Sequence, residues 1–305
     1  MPETPTGEVE HYVPHQPVMK EGAETTRMRI VYDCSAKSNP SNPSLNECLE
    51  TGPKLQTLLF DISLRNRFRK YCVTGDIQKA FLQIRVKECD RDANRILWYD
   101  NLTDRNVREY RFARVIFGAT PIPYIFGATI GKHLESYEDR YPETVKALRE
   151  DTCVDDIQGG GETARQVAKF IVESTSIMEA AGFKLHKWHS NLHADKQVRG
   201  LGEDSQMTYA KTIVGQQSET ETKILGVPWD IYRDEMSVSF KSCLQELSIL
   251  TKRKMIAVIN IVYDVLGWSS PVMIVAKLLF SRVCQLKQHW DDVVPEEIKT
   301  NGVLG

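Results

Sequence analysis

Hydrophobic positions recur at helical spacing in several stretches of the chain. The clearest pattern runs from Ala164 to Ala181, where Val167, Phe170 and Ile171 fall on one face. Gly182 follows at the position where a helix commonly ends. Similar but shorter patterns predict further helices at Lys54–Phe68, Pro123–Glu138, Cys243–Val265 and from Pro271, a first-turn proline, to about Gln288.

Short apolar or alternating runs between turn residues predict strands. These runs are Arg27–Asp33, Tyr71–Asp76, Ile96–Tyr99, Glu109–Ile116 and Leu225–Trp229. We expect Ile96–Tyr99 to pair with Glu109–Ile116, and Cys153–Gln158 to belong to a hairpin. Residues 1–26 are rich in Pro, Glu and Thr, which predicts an extended or loosely ordered lead-in. Strands and helices mix early and helices dominate late, so the pattern predicts an α+β body followed by a helical subdomain.

Composition narrows the class of protein only moderately. The 305 residues are 41% hydrophobic and 26% charged, as in an ordinary soluble globular protein, and the net charge is −2. Charge is uneven, however, because residues 241–290 hold seven basic and two acidic side chains, a local charge of 7 − 2 = +5. That segment predicts a basic surface able to approach nucleic acid.

The cysteine pattern and the absence of apolar segments bear on location. Seven scattered cysteines without a Cys-x-x-Cys pair are typical of reduced thiols in an intracellular protein. The N-terminal residues hold no apolar signal core, and no apolar run reaches membrane-spanning length. We therefore expect an intracellular protein without a membrane partner.

Three aspartates suggest metal chemistry. Asp155 and Asp156 stand between a short apolar run and a glycine cluster, and Asp76 ends a predicted strand. Phosphoryl-transfer enzymes gather carboxylates around Mg²⁺, which prefers oxygen ligands. The alternative is that a strand-end acid and a turn pair never meet, since aspartate is common in turns.

A series of motifs follows in order along nearly the whole chain. They are Arg27–Lys37, Ser44–Leu49 with Gly52-Pro53, Asp76–Ile84, Phe117–Tyr124, Val154–Ile157, Gly182–Trp188, Leu225–Asp230, Thr251–Lys254 and Trp290–Asp292. In this order they resemble the reverse transcriptases of the BEL/Pao class of LTR retrotransposons. An ordered set is more specific than any one motif.

The resemblance implies an α+β right-hand polymerase fold, with fingers, a palm containing an antiparallel sheet, and a helical thumb. The fingers would take residues 1–75 and 87–115, and the palm residues 76–86 and 116–236. The thumb and the start of a connection would take residues 237–305.

The same resemblance implies an RNA-directed DNA polymerase that adds deoxynucleotides to a primer 3′ end. Asp76, Asp155 and Asp156 would hold two Mg²⁺ ions, for which Mn²⁺ can substitute, and the Ile77 carbonyl would add a backbone ligand. Lys187 would protonate the leaving pyrophosphate; its alternative is an ordinary surface lysine.

Four further residues would face the incoming nucleotide. Arg29 would meet the triphosphate, and Phe81 would exclude a ribose 2′-hydroxyl. Phe117 and Gly118 belong to the motif that faces template and nucleotide. The alternatives are a solvated strand-edge charge for Arg29 and a buried core ring for Phe81, although a gating ring must itself be held rigidly. Arg27 and Lys20 are candidates for a neighbouring basic contact.

The implied partners are a primed RNA or DNA template, deoxynucleoside triphosphates, and the RNase H and integrase portions of a longer polyprotein. We expect no RNase H segment in this chain itself, and a cytoplasmic location. The first rival is a catalytically inactive retroelement-derived relic that binds nucleic acid or protein. A metal-dependent nuclease lacks motif support. His186, His189 and His193 have zinc-like spacing but no evident fourth ligand.

Overall fold

The computed structural model describes residues 9–19, 28–101, 103, 105–194, 221–240 and 249–295. Arg27, Lys20 and residues 243–248 of the expected helix Cys243–Val265 lie outside this part. The chain divides into two compact units. Unit 1 draws on Met1–Thr57, Gly75–Ile157 and Phe170–His186, and unit 2 on Leu58–Thr74, Gln158–Lys169 and Lys187–Gly305.

The described strands and helices are as follows. The strands are β1 (His15–Met19), β2 (Met28–Tyr32), β3 (Tyr71–Ile77), β4 (Arg95–Asn101), β5 (Asn106–Arg111), β6 (Thr152–Cys153), β7 (Asp156–Gly161), β8 (Leu185–Ser190), β9 (Glu221–Ile224), β10 (Val227–Asp230) and β11 (Glu235–Met236). The α-helices are α1 (Leu45–Cys48), α2 (Leu59–Phe68), α3 (Ile122–Glu135), α4 (Pro142–Glu150), α5 (Ala164–Ala180), α6 (Lys252–Ile261) and α7 (Ser270–Gln285). Short 3₁₀ helices span Ala80–Gln83, Glu88–Asn94 and Asn191–Ala194.

A four-stranded sheet in the order β6-β7-β3-β8 carries the acid motifs. β6 and β7 pair antiparallel, with Thr152 opposite Ile157 and Cys153 opposite Asp156. The other described sheets are the pairs β1-β2 and β4-β5 and the three-stranded β11-β10-β9. The mixed helix and sheet content agrees with the expected α+β class.

Residues 1–26 were expected to form an extended or loosely ordered lead-in, without a named strand. His15–Met19 within it forms β1 and pairs antiparallel with β2, so that Val18 lies opposite Arg29. Pairing with β2 satisfies backbone N–H and C=O groups of this segment. Pro17 is tolerated because this two-stranded ribbon has open edges.

The strand expected at Leu225–Trp229 begins two residues later, at Val227. Leu225 and Gly226 instead form the two-residue turn between β9 and β10, with φ of +49° and +86°. Two consecutive positive φ angles are those of a type I′ turn, whose twist matches paired strands. The expected pairing of Ile96–Tyr99 with Glu109–Ile116 is confirmed, but β5 ends at Arg111.

The most periodic helices match their predictions. α5 ends at Ala180, and Gly182, with φ of +79°, donates its N–H to the Glu179 carbonyl. α7 carries Pro271 in its first turn, as predicted, and ends at Gln285. α2 begins at Leu59, five residues after the predicted start, and α4 was not predicted.

Unit 2 contains a buried polar chain that the hydrophobic pattern did not indicate. The Asn66 amide donates to Gln158 Oε1 at 3.1 Å, and Gln158 Nε2 donates to Thr74 Oγ1 at 2.9 Å. All three side chains are buried. Because buried polar groups are costly unless hydrogen-bonded, this series of side-chain hydrogen bonds stabilises only the arrangement in which all three residues meet.

Among the described residues, the helices are too short or too polar to span a membrane.

Candidate active site

β3 brings Asp76 next to the acid turn that joins β6 and β7. The Ile77 N–H donates to the Asp155 carbonyl at 2.9 Å, so residues that are far apart in sequence share a backbone hydrogen bond. Asp76 precedes Ile77 on the same strand. The structure therefore brings together two of the three predicted acids, Asp76 and Asp155. The predicted ligand role of the Ile77 carbonyl stays a prediction.

The turn itself has a strained backbone. Cys153 pairs with Asp156, which leaves Val154 and Asp155 as the two turn residues. Val154 has φ of +55°, as the first residue of a type II′ turn requires. Glycine is usual there, and a β-branched residue at positive φ is strained. The paired strands on either side hold the turn in this conformation, which places Asp155 beside the end of β3.

The electrostatic field of this site is negative. Burial raises the pKa of the Asp155 carboxyl above its ordinary value, and the charge of Asp76 raises it further. Burial also raises the pKa of the Cys153 thiol, with Asp156 and Asp155 adding to the shift. A divalent cation would relieve both costs, and carboxylate oxygens are the ligands that Mg²⁺ prefers.

Carboxylate oxygens suit a hard cation, but the described side chains do not form a complete metal-binding site. In the part of the chain that the structure describes, no group of three or more His, Cys, Asp or Glu residues is arranged to hold a metal ion. The pair Asp76 and Asp155 is in place, and Asp156 lies opposite Cys153 in the hairpin. The three-carboxylate site thus remains a prediction.

His186 contacts the first acid directly, which the sequence analysis missed. Its Nε2 lies 2.9 Å from Asp76 Oδ2, although the two residues are 110 positions apart. The Gln78 N–H donates to the Lys184 carbonyl at 2.9 Å, which aligns the start of β8 with the end of β3. The sequence analysis considered His186 only for its zinc-like spacing to His189 and His193, and nothing local indicated Asp76 as its partner.

The two predicted cationic residues lie on exposed positions. Arg29 is exposed on β2, and no described hydrogen bond or ion pair joins its side chain to Asp76 or Asp155. Lys187 follows His186 on β8, is exposed, and has φ of +53°. Their roles toward triphosphate and pyrophosphate stay predictions.

Phe81 belongs to a cluster of aromatic rings that meet edge to face. Its ring meets Phe117 edge to face, with centroids 5.2 Å apart and planes at 84°, and meets Phe126 at 5.2 Å and 72°. Phe126 in turn meets Phe183 at 5.8 Å. Such edge-to-face contacts fix ring orientation. Phe126 is buried, Phe81 is half-buried and Phe117 is 47% exposed, so the aromatic cluster extends from the core to the surface.

Gly118 occupies a position that other residues cannot readily take. It has φ of +100°, and a Cβ there would lie 2.6 Å from the Tyr32 carbonyl oxygen. Asn46 holds the same loop, because its amide donates to the Gly118 carbonyl at 3.0 Å and its Oδ1 accepts from the Thr120 N–H at 2.8 Å. Asn46 lies within the resembling motif, yet the sequence assigned it no role.

Known proteins resemble the chain in two ways. Residues 251–302 match the model of a family described as Pao retrotransposon-like RNaseH-like domain. Among solved structures, the chain is similar to the foamy viral protease-reverse transcriptase dRH in complex with ds DNA, with a TM-score of 0.57, 14% identity, and coverage of 97% of this chain and 43% of that one. The prototype foamy virus protease-reverse transcriptase CSH mutant also matches, with a TM-score of 0.45, 17% identity, and coverage of 60% and 21%.

The family match over residues 251–302 supports a relationship to retroelement polyproteins, and the likeness to the DNA complex concerns the fold alone. The chain spans less than half the length of either solved structure. No curated protein matches it. The family match covers α6 and α7, where a thumb was expected, and carries an RNaseH-like description. The expectation that the chain holds no RNase H segment is therefore not supported.

Proposed function

We propose that the chain is the polymerase portion of a retroelement polyprotein, an RNA-directed DNA polymerase that extends a primer on an RNA or DNA template. The observation that carries the proposal is the hydrogen bond from the Ile77 N–H to the Asp155 carbonyl. It joins the first acid motif to the acid-pair turn, which are two of the ordered motifs that carry the BEL/Pao resemblance. The basic segment 241–290 and the likeness to a protease-reverse transcriptase bound to DNA add support.

Each residue has a proposed task. Asp76, Asp155 and Asp156 would hold divalent cations, which would supply activation of the primer 3′-hydroxyl and stabilisation of charge on the transferred phosphoryl group. The Phe81 ring, fixed by its aromatic neighbours, would lie against the sugar of the incoming deoxynucleotide and exclude a 2′-hydroxyl. Arg29 suits triphosphate oxygens because guanidinium matches phosphate geometry.

Lys187 would donate a proton to pyrophosphate as it leaves, and a positioned general acid contributes about 10²–10⁴-fold to a rate. The loop at Phe117 and Gly118 would face the incoming nucleotide. Its shape depends on a conformation at Gly118 that glycine alone adopts without strain.

Primer extension tests the proposal. An oligo(dT)-primed poly(rA) template is incubated with the chain and dTTP, with Mg²⁺ and separately with Mn²⁺. We expect extension by the native chain and a loss of at least 10³-fold in Asp155→Asn. The matched control is Asp139→Asn, an exposed acid beyond the end of α3, which should extend the primer at the native rate. Extension that persists in Asp155→Asn would refute the assigned metal role.

A non-catalytic relic that binds nucleic acid is the second candidate, favoured by the lack of a three-ligand group among the described residues. Under this alternative the folded native chain retains the primed template in a filter-binding assay but extends nothing. The two proposals therefore differ in a single experiment.

RNA hydrolysis is the activity that the family description raises, and two acids in the described part of the matched segment have local structural partners. Asp264 accepts the N–H groups of Trp268 and Ser269, and Asp291 forms a two-point ion pair with Arg253. These acids serve local structure. Degradation of the RNA strand in an RNA–DNA hybrid, measured alongside extension, would count against this assignment.

A further inference from the structure

The contact between the His186 and Asp76 side chains has no role in the polymerase function proposed above. Asp76 Oδ2 and His186 Nε2 lie 2.9 Å apart, and both side chains are about 30% exposed, at 30% and 29%. A carboxylate can only accept hydrogen bonds, so Nε2 carries the hydrogen and donates it. Partial burial makes this hydrogen bond stronger than one between fully solvated groups.

The backbone around His186 fixes where its ring can reach. The hydrogen bond from Gln78 N–H to the Lys184 carbonyl ties the residue two places after Asp76 to the residue two places before His186. Phe183 and Leu185 are buried on either side of Lys184. The approach of His186 to Asp76 is therefore set by strand alignment and core packing. Neither would constrain a side chain on a flexible surface.

The neighbouring Asp155 gives the contact a purpose. Its backbone carbonyl accepts from the Ile77 N–H at 2.9 Å, so Asp155 lies beside the strand end that carries Asp76. A donor on Oδ2 fixes the rotation of the Asp76 carboxylate and so the direction of its Oδ1. Groups that orient a metal-binding side chain in this way commonly change metal affinity 10- to 100-fold when removed.

We propose that His186 is a positioning residue that orients the Asp76 carboxylate for a divalent cation shared with Asp155. The inference rests on the proposed polymerase function, because it takes Asp76 and Asp155 as the metal-binding pair. It assigns His186 no contact with nucleotide or with the reacting atoms.

Mn²⁺ binding to the full chain, without template or nucleotide, provides a readout besides activity. Free Mn²⁺ is measured by electron paramagnetic resonance during titration. We expect His186→Leu to weaken binding about 10- to 100-fold. His186→Gln should retain most of the affinity, because its amide N–H reaches about as far as the imidazole Nε2. Asp155→Asn serves as the ligand-loss reference.

His133→Leu is the matched comparator for a structural role. His133 also lies in unit 1, and its Nε2 makes a hydrogen bond of 2.7 Å to the Ile177 carbonyl. Thermal unfolding of each variant monitors stability. We expect His133→Leu to lower the unfolding temperature while leaving Mn²⁺ affinity at the native value, whereas His186→Leu changes affinity beyond any change in stability.

The outcomes separate the two proposals. If Asp155→Asn loses Mn²⁺ binding and primer extension but His186→Leu binds Mn²⁺ as the native chain does, or more tightly, the positioning role is overturned and the polymerase proposal stands. Equal losses in His186→Leu and His186→Gln also overturn the role, because the hydrogen-bond donor would then be irrelevant. If the native chain extends no primer and shows no Mn²⁺ binding that is lost in Asp155→Asn, the polymerase proposal itself fails.

Discussion

The buried ion cluster between the 3₁₀ helix Glu88–Asn94 and β4 allows a stability prediction with a defined magnitude. Asp92 is fully buried, and its Oδ1 accepts from Arg95 Nε at 3.0 Å and Nη2 at 2.7 Å. Arg95 is only 2% exposed. Arg111 Nη1 lies 3.3 Å from Asp92 Oδ2, so one carboxylate forms ion pairs with two guanidinium groups.

Asp92→Asn removes the charge while keeping the shape of the side chain. Arg95 then keeps its ion pair with Glu109, and Arg111 keeps its ion pair with Glu88; both of these acids are largely solvent-exposed. Breaking a buried ion pair from one side costs about 3–5 kcal/mol because the partner stays buried without its counter-charge. Whole proteins are stable by about 5–15 kcal/mol, so the loss is a large fraction.

Urea unfolding followed by circular dichroism measures this loss. With a slope of about 3 kcal/mol per molar urea, the midpoint should fall by roughly 1–1.7 M. Asp90→Asn, an exposed acid in the same 3₁₀ helix, should stay within about 0.5 kcal/mol of the native chain. A loss below about 1 kcal/mol in Asp92→Asn would refute the reasoning. Replacing both partners, in Asp92→Leu with Arg95→Met, should recover part of the stability lost in Asp92→Asn.

Three other predictions follow from the site. Gly118→Ala should destabilise the chain by about 1–3 kcal/mol, measured by urea unfolding, because its Cβ would meet the Tyr32 carbonyl and φ is +100°. Phe81→Val should raise the ratio of ribonucleotide to deoxynucleotide incorporation at least 10-fold in primer extension, since the smaller side chain leaves room for a 2′-hydroxyl; an unchanged ratio contradicts the gate. The raised pKa of Asp155 means that its contribution to stability is present below the ordinary aspartate pKa and is lost as pH rises through the raised value. Without metal, Asp155→Asn should therefore unfold at a higher temperature than the native chain at pH 7, and the difference should vanish in acid.

Local periodicity was sufficient for the elements whose stability depends on one continuous face. α5 and its glycine stop, and α7 with its first-turn proline, agree with the predictions to within a few residues. Both signals act within one or two helical turns, so the sequence carries them without reference to the rest of the chain.

Elements that depend on pairing with another strand were missed or displaced. β1 has no local signal and exists because β2 pairs with it. The turn at Leu225–Gly226 places a leucine at positive φ, against its intrinsic preference, because β9 and β10 need a type I′ connection. Tertiary pairing overrides local propensity in such places.

For the site, the sequence by itself determined which residues are candidates, through the order of motifs and the carboxylates within them. Only the tertiary structure decided which of these meet. It joins Ile77 to Asp155 and His186 to Asp76, and it surrounds Phe81 with rings from two other segments. These contacts depend on which strands become neighbours in the sheet, and the local pattern of a strand does not indicate which distant segment will lie beside it.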